Sequence, residues 1–213
     1  MSQSADERLE RGWLARWIAG DAPGEPIASP RPPGLCVVAL DLQRDFLADD
    51  ARLPVPRGTV EPLLAASNRV LDEAAQHGAR VVYVRNVFRR SDRIGNLVRG
   101  HAAVEASDGV ALDPRVHLVS DHVFDKSTRD AFHDDALDAW LRREQIGALV
   151  LLGVFAEACV RATALGARHR GYRVTMVRDA IAARSERSRD SVLHALDRAG
   201  AHISDAASVW QSG

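Results

Sequence analysis

The chain has 213 residues, 46% of them hydrophobic, which suits one sizeable domain with an ordinary core. Its 28 basic and 29 acidic side chains leave a formal charge of −1, so neither a nucleic-acid footprint nor an acidic tail is present. No apolar run approaches the roughly 20 residues of a membrane span.

The first 34 residues stand apart. Leu9, Trp13, Leu14, Trp17 and Ile18 form an apolar stripe at helical spacing, followed by the Pro-rich linker "APGEPIASPRPPG". Such a helix suits packing on its own domain or on a neighbouring subunit equally well. This N-terminus is charged and lacks a continuous apolar signal core, and the two cysteines suit free thiols, so a cytoplasmic protein is expected.

From residue 35 strands and helices alternate. "LCVVALD" (35–41) is a β-branched apolar run of the kind buried on both faces. Val60, Leu63, Leu64, Val70, Leu71 and Ala74 recur at three- and four-residue steps, and Gly78 stops that helix. "ARVVYVR" (79–85) reads as a second strand. A polar, arginine-rich stretch runs from Asn86 to about Pro114, and "VHLVS" (116–120) reads as a third strand. Ala136, Leu137, Trp140 and Leu141 mark a helix ending before Gly147. "ALVLLGV" (148–154) is the fourth strand, and a helix carrying Cys159 runs to Arg170. "YRVTMV" (172–177) is the fifth strand. Val192, Leu193, Leu196 and Ala199 define a last helix, and "AHIS" (201–204) is an edge strand. This order predicts an α/β fold: a three-layer αβα sandwich around a six-stranded, mainly parallel sheet, Rossmann-like, with an N-terminal helical extension over 1–34 and one domain over 35–213.

In such a sheet, sites collect at the carboxyl ends of the strands. The polar residues there are Asp41, Arg85 and Asn86, Lys126, Cys159, and the run Arg178, Asp179 and Arg184. Each has an ordinary alternative. A strand-end aspartate is commonly a cap, a lysine or arginine a surface group, and a cysteine a small buried hydrophobe. Cys159 has two further features. It lies in the first turn of a predicted helix, where free N–H groups and the dipole favour a thiolate, and its flanks Ala156, Ala158 and Ala162 leave room for a ligand. Cys36, five residues before Asp41 in the first strand, lies roughly 16 Å from that edge. It reads as core, too distant for a disulfide to Cys159.

Three motifs, "VVALDLQRDF", "FDKSTRDAF" and "LVLLGVFAEACVRATALGARHRGYRVTMVRDAIAAR", in this order, resemble the isochorismatase-like cysteine hydrolases. That family includes nicotinamidase, N-carbamoylsarcosine amidase, maleamate amidohydrolase and ureidoacrylate amidohydrolase, and the resemblance covers about residues 35–204. It implies a catalytic triad of Asp41, Lys126 and Cys159. Asp41 would take the thiol proton and return it to the leaving nitrogen, while Lys126 would favour the thiolate and orient the acid. It also implies a cis peptide at Val154–Phe155 and an oxyanion hole from the N–H groups of Phe155 and Cys159. Family members often carry a small or hydroxyl residue where this chain has Phe155 and Ala156.

Asp45 and Gln43 read as structural, Asp45 bonding backbone in the loop after the first strand, and Phe46 as a pocket wall or core residue. The family's metal-bearing nicotinamidases hold an Asp and two His after the second strand. "YVRNVFRRSDRIGN" has no such set, so neither metal nor cofactor is expected. The last motif is similar to the N-carbamoylsarcosine amidase and maleamate amidohydrolase branch, where an arginine after the fifth strand binds the substrate carboxylate, and Arg184 stands at that position. Asn86, Phe88 and Arg129 are further substrate-binding candidates. The resemblance implies a cysteine amidohydrolase that cleaves a C–N bond of a small carboxylate-bearing amide or ureido compound and releases ammonia. It also implies a homo-oligomer, a dimer or tetramer, while the charge balance and the lack of an apolar span leave no nucleic-acid or membrane partner expected. The alternatives are an isochorismatase-type vinyl ether hydrolase, which does not need the thiol, and a non-catalytic member of the family.

Overall fold

The computed structural model describes residues 34–211, so the expected N-terminal helix and most of its linker lie outside the described residues. Six strands form one sheet: β1 (Gly34–Leu40), β2 (Arg80–Asn86), β3 (Val123–Lys126), β4 (Ile146–Gly153), β5 (Arg173–Ile181) and β6 (His202–Ser204). Their order is β3-β2-β1-β4-β5-β6, and all five pairings are parallel. The α/β sandwich expected from the alternation is therefore the fold.

The alternation of side chains along β1 shows why the sheet needs two covering layers. Cys36, Val38 and Leu40 face one core, with Leu137, Leu141, Val160, Ala164, Leu193 and Leu196. That layer is built from α4 (Ala136–Arg143), α5 (Arg161–His169) and α6 (Glu186–Arg198). Val37 and Ala39 face the other core, covered by α2 (Arg57–Gln76) through Val60, Leu63, Leu64, Val70 and Leu71. These α2 side chains are buried, and burying each one contributes about 1.5–3 kcal/mol. Cys36 is fully buried in the first core, as its position in β1 predicts, and burial pushes its thiol far above the ordinary range.

The third strand is displaced from the expected 116–120 to 123–126. The earlier segment is tied down by side chains instead of a ladder. Tyr83 Oη donates to the His117 carbonyl (2.7 Å) and accepts from Val119 N–H (3.0 Å), and Ser120 Oγ donates to the Val81 carbonyl (2.7 Å). Lys126 is thereby the last residue of β3, paired with Asn86 at the end of β2. The polar stretch after β2 contains a short helix, α3 (Arg93–Val98), and a 3-10 turn, Asp108–Val110. Another short helix, α1 (Arg44–Leu47), follows β1.

Candidate active site

In a sheet of order 3-2-1-4-5-6, connectivity reverses between β1 and β4, and the crevice outside their carboxyl ends is where ligands bind. β1 leads into Asp41 and β4 into the turn that carries Cys159. Gly153, the last residue of β4, has φ of +121°, and a Cβ there would run into the Leu40 carbonyl. Only glycine lets the two strand ends close up in this way. Asp41 has φ of +56°, in the left-handed region that aspartate tolerates better than most residues. Its backbone N–H still bonds to the Val84 carbonyl (2.8 Å), so the side chain is turned while the strand pairing continues.

Four polar side chains meet in this crevice, all nearly excluded from solvent: Asp41, Asn86, Lys126 and Cys159. Lys126 Nζ donates to Asp41 Oδ2 (3.0 Å) and to Asn86 Oδ1 (2.7 Å). Asn86 Nδ2 donates to Asp41 Oδ2 (2.8 Å) and lies 3.5 Å from Cys159 Sγ. Asp41 Oδ1 is buried without a hydrogen-bond partner, and the Cys159 thiol interacts with the same carboxyl group. The three residues of the expected triad are thus brought together. Asn86, expected as a substrate contact, instead turns both ends of its amide onto the other three.

The charges explain each titration. Burial raises the Asp41 carboxyl above its ordinary value, and Lys126, Cys159 and Asn86 offset this only in part. Burial works against the Lys126 ammonium, but the charge of Asp41 and the hydrogen bonds with Asp41 and Cys159 outweigh it and hold its pKa above the usual lysine value. The Cys159 thiol is pushed up to about 11, first by burial and then by the negative charge of Asp41; Lys126 and Asn86 pull it back in part. This corrects the expectation of a thiolate preformed by the helix N-terminus. Burial and the charge of Asp41 thus favour the protonated thiol, beside a carboxyl that burial makes more basic than usual.

A measurement follows. Alkylation by iodoacetamide requires the thiolate, and two pH units of displacement lower its fraction about a hundredfold. Cys159 is therefore expected to react near pH 8 roughly a hundredfold more slowly than a simple exposed thiol, with the rate still climbing at pH 10. A plateau reached by pH 8 would contradict the resting state described.

The Val154–Phe155 peptide is cis, as the motif resemblance implies. Residues Ala156–Val160 then form a π turn that runs into α5, a widened geometry common at functional sites. Ala158 and Val160 both donate to the Phe155 carbonyl, skipping Cys159 between them, and Ala156 N–H donates to the Ala182 carbonyl. The bulk of Phe155 goes into the core, edge-to-face on Phe46 at 5.8 Å, so both aromatics are packing residues at the base of this corner.

Gln43 is structural and fully buried. Its Nε2 donates to the carbonyls of Asn86 and Val110, and its Oε1 accepts from Asn86 N–H. Asp45 also bonds backbone, but at Ala103 N–H (2.7 Å), in the loop after β2 rather than the one after β1. Arg184 lies at the rim. Its backbone N–H donates to Glu157 Oε1 (3.1 Å), and its guanidinium, 73% exposed, sits 3.9 Å from the same oxygen. Phe88 is half-buried under the Arg99 guanidinium (3.8 Å), and Arg129 is exposed, three residues beyond Lys126 in sequence. The hydrogen bonds and ion pairs that join the four buried side chains to one another include neither Phe88 nor Arg129. After β2, Asp92 is bound to Arg99 and to the Gly95 N–H. Among the described residues no group of three His, Cys, Asp or Glu is placed to hold a metal ion.

Comparison with known proteins gives a consistent picture. The family model described as an isochorismatase domain matches residues 35–208. Nicotinamidase of Escherichia coli (strain K12) is 27% identical over 180 residues, covering 69% of this chain and 82% of that protein. The isochorismatase-like hydrolase from Alkaliphilus metalliredigens superposes with a TM-score of 0.77 at 24% identity, over 84% of this chain and 98% of its own, a likeness of fold. N-carbamoylsarcosine amidase from Thermoplasma acidophilum superposes with a TM-score of 0.71 at 25% identity, over 81% and 96% of the two chains.

Proposed function

This chain belongs to the isochorismatase family, and on that footing we propose that it is a cysteine-dependent amidohydrolase acting on a small amide or ureido compound that also carries a carboxylate. The observation that carries this reading is the buried contact of an acid, an ammonium and a thiol at the switch point of the sheet. Two relatives bear names of amide-cleaving enzymes, nicotinamidase and N-carbamoylsarcosine amidase.

The chemistry runs in two halves. Cys159 Sγ attacks the carbonyl carbon as its proton passes to Asp41, and the carbonyl π pair moves onto oxygen. The N–H groups of Phe155 and Cys159 receive that oxyanion. When the tetrahedral species collapses, the C–N bond breaks, Asp41 returns the proton to nitrogen, and ammonia leaves behind a thioester. A water molecule then gives a proton to Asp41 and its oxygen to the acyl carbon, and the thiol is restored as the acid departs. Lys126 favours the ionised form of Asp41 against burial and offsets the negative charge that builds on sulfur. At the rim, a ligand carboxylate would take over the Arg184 guanidinium from Glu157 through paired hydrogen bonds.

The test is a panel of carboxylate-bearing amides and ureido acids, with ammonia measured in the presence and absence of hydroxylamine. At least one substrate is expected to release ammonia and, with hydroxylamine, to yield the hydroxamate of the trapped thioester. Cleavage of isochorismate with no ammonia from any amide would replace this reading with the vinyl ether hydrolase.

A further inference from the structure

We propose that Asn86 is the positioning residue of the site: its side-chain amide selects Asp41 Oδ1 as the acceptor of the thiol proton and holds Sγ for attack. This rests on the amidohydrolase reading above.

An asparagine amide has two N–H donors and one carbonyl acceptor. Here the oxygen accepts from Lys126 Nζ (2.7 Å), while the nitrogen donates to Asp41 Oδ2 (2.8 Å) and faces Cys159 Sγ (3.5 Å). Charge dictates this orientation. Turned over, the amide would set N–H against an ammonium and oxygen against a carboxylate. The backbone of Asn86 is clamped on both sides by Gln43, at 2.7 and 2.9 Å, and its register partner across the ladder is Lys126. The amide is therefore held from behind as well as from the front.

Asp41 Oδ2 accepts from two donors, whereas Oδ1, also buried, accepts from none. The more basic, unshielded oxygen is Oδ1. In the attacking step the S–H bond breaks, its proton goes to Oδ1, the S–C bond forms, and the carbonyl π pair moves to oxygen. As charge builds on sulfur, the Asn86 N–H···S contact strengthens, because hydrogen bonds to charged acceptors are about twice as strong as neutral ones. Asn86 thus acts through Asp41 and Cys159.

Asn86→Asp is nearly isosteric but replaces both donors by an acceptor and adds negative charge beside Asp41. The alkylation rate of Cys159 by iodoacetamide at pH 9, followed by mass spectrometry, is expected to fall at least about tenfold, one unit in thiol pKa. On a substrate found in the panel, kcat is expected to fall on the order of a hundredfold with KM within about threefold. Asn86→Ala should move both in the same direction. Should that variant not fold, Asn86→Asp, with circular dichroism matching the parent, carries the test. An alkylation profile unchanged in Asn86→Asp overturns the proposal. Alkylation needs no substrate, so this outcome is separate from loss of the amidohydrolase reading, which a Cys159→Ala enzyme that still released ammonia would bring about.

Discussion

Cys159→Ala is expected to lower ammonia release by on the order of 10⁴-fold or more, with little change in the folded state. Loss of a nucleophile removes the covalent route as a unit, so the surviving rate is only what binding and the oxyanion donors supply. The substitution deletes one buried sulfur beside Asn86, and it takes a group of raised pKa away from Asp41. A stability change within about 1 kcal/mol is therefore expected in urea unfolding. Ammonia release equal to that of the parent enzyme would remove the thiol from the mechanism. Isochorismate cleavage that survives the substitution would point to acid catalysis by Asp41 alone.

Lys126→Met is expected to damage both stability and rate. Breaking one side of a buried ion pair costs about 3–5 kcal/mol, because the remaining charge is left uncompensated. Asp41 has no exposed route to relief, being buried beside Asn86 and Cys159. Its carboxyl already sits above the ordinary range through burial, and Lys126 is the largest influence holding it down. Without the ammonium it rises further, so it is protonated up to a higher pH and cannot accept the thiol proton. The acid limb of the kcat/KM profile should shift to higher pH, and activity near neutrality should fall on the order of 10³-fold. In the double variant with Asp41→Asn, no buried charge remains, so much of the lost stability should return while activity does not. A Lys126→Met protein with the parent's urea midpoint and pH profile would contradict the arrangement of charges described.

Much of this is legible in the residues. Apolar runs and glycine stops mark five of the six strands, and the site falls at the carboxyl ends because parallel α/β sheets leave little choice. Asp41, Lys126 and Cys159 stand out as chemically able residues at that edge. The order of strands is not legible, since periodicity reports burial but not neighbours. The third strand is displaced because "VHLVS" has the composition of a strand, yet its backbone bonds to the Tyr83 hydroxyl, and Ser120 reaches the Val81 carbonyl. The part played by Asn86 is hidden for a related reason. It depends on β2 lying between β1 and β3, which brings its amide between the acid and the lysine. An asparagine at a strand end adjoining those two strands is the signal that points to it. The thiol titrates in the opposite direction to the one its helix position suggests, because a helix N-terminus is a local feature, whereas burial and the charge of Asp41 come from the tertiary fold.

The close approach of Gly153 to the Leu40 carbonyl has a bearing on how the molecule can be altered. It joins the ends of β1 and β4 by main chain, with no side chain between them. The spacing of the two strand ends that lead into the acid and the thiol is therefore set by main chain, and the side chains of Asn86 and Lys126 fix the atoms within it. Phe88, Arg129 and Arg184 belong to segments beyond the strand ends. The buried cluster and these outer segments are thus carried by separate parts of the chain, and substitutions at Phe88, Arg129 or Arg184 are expected to leave Asp41 and Cys159 in place.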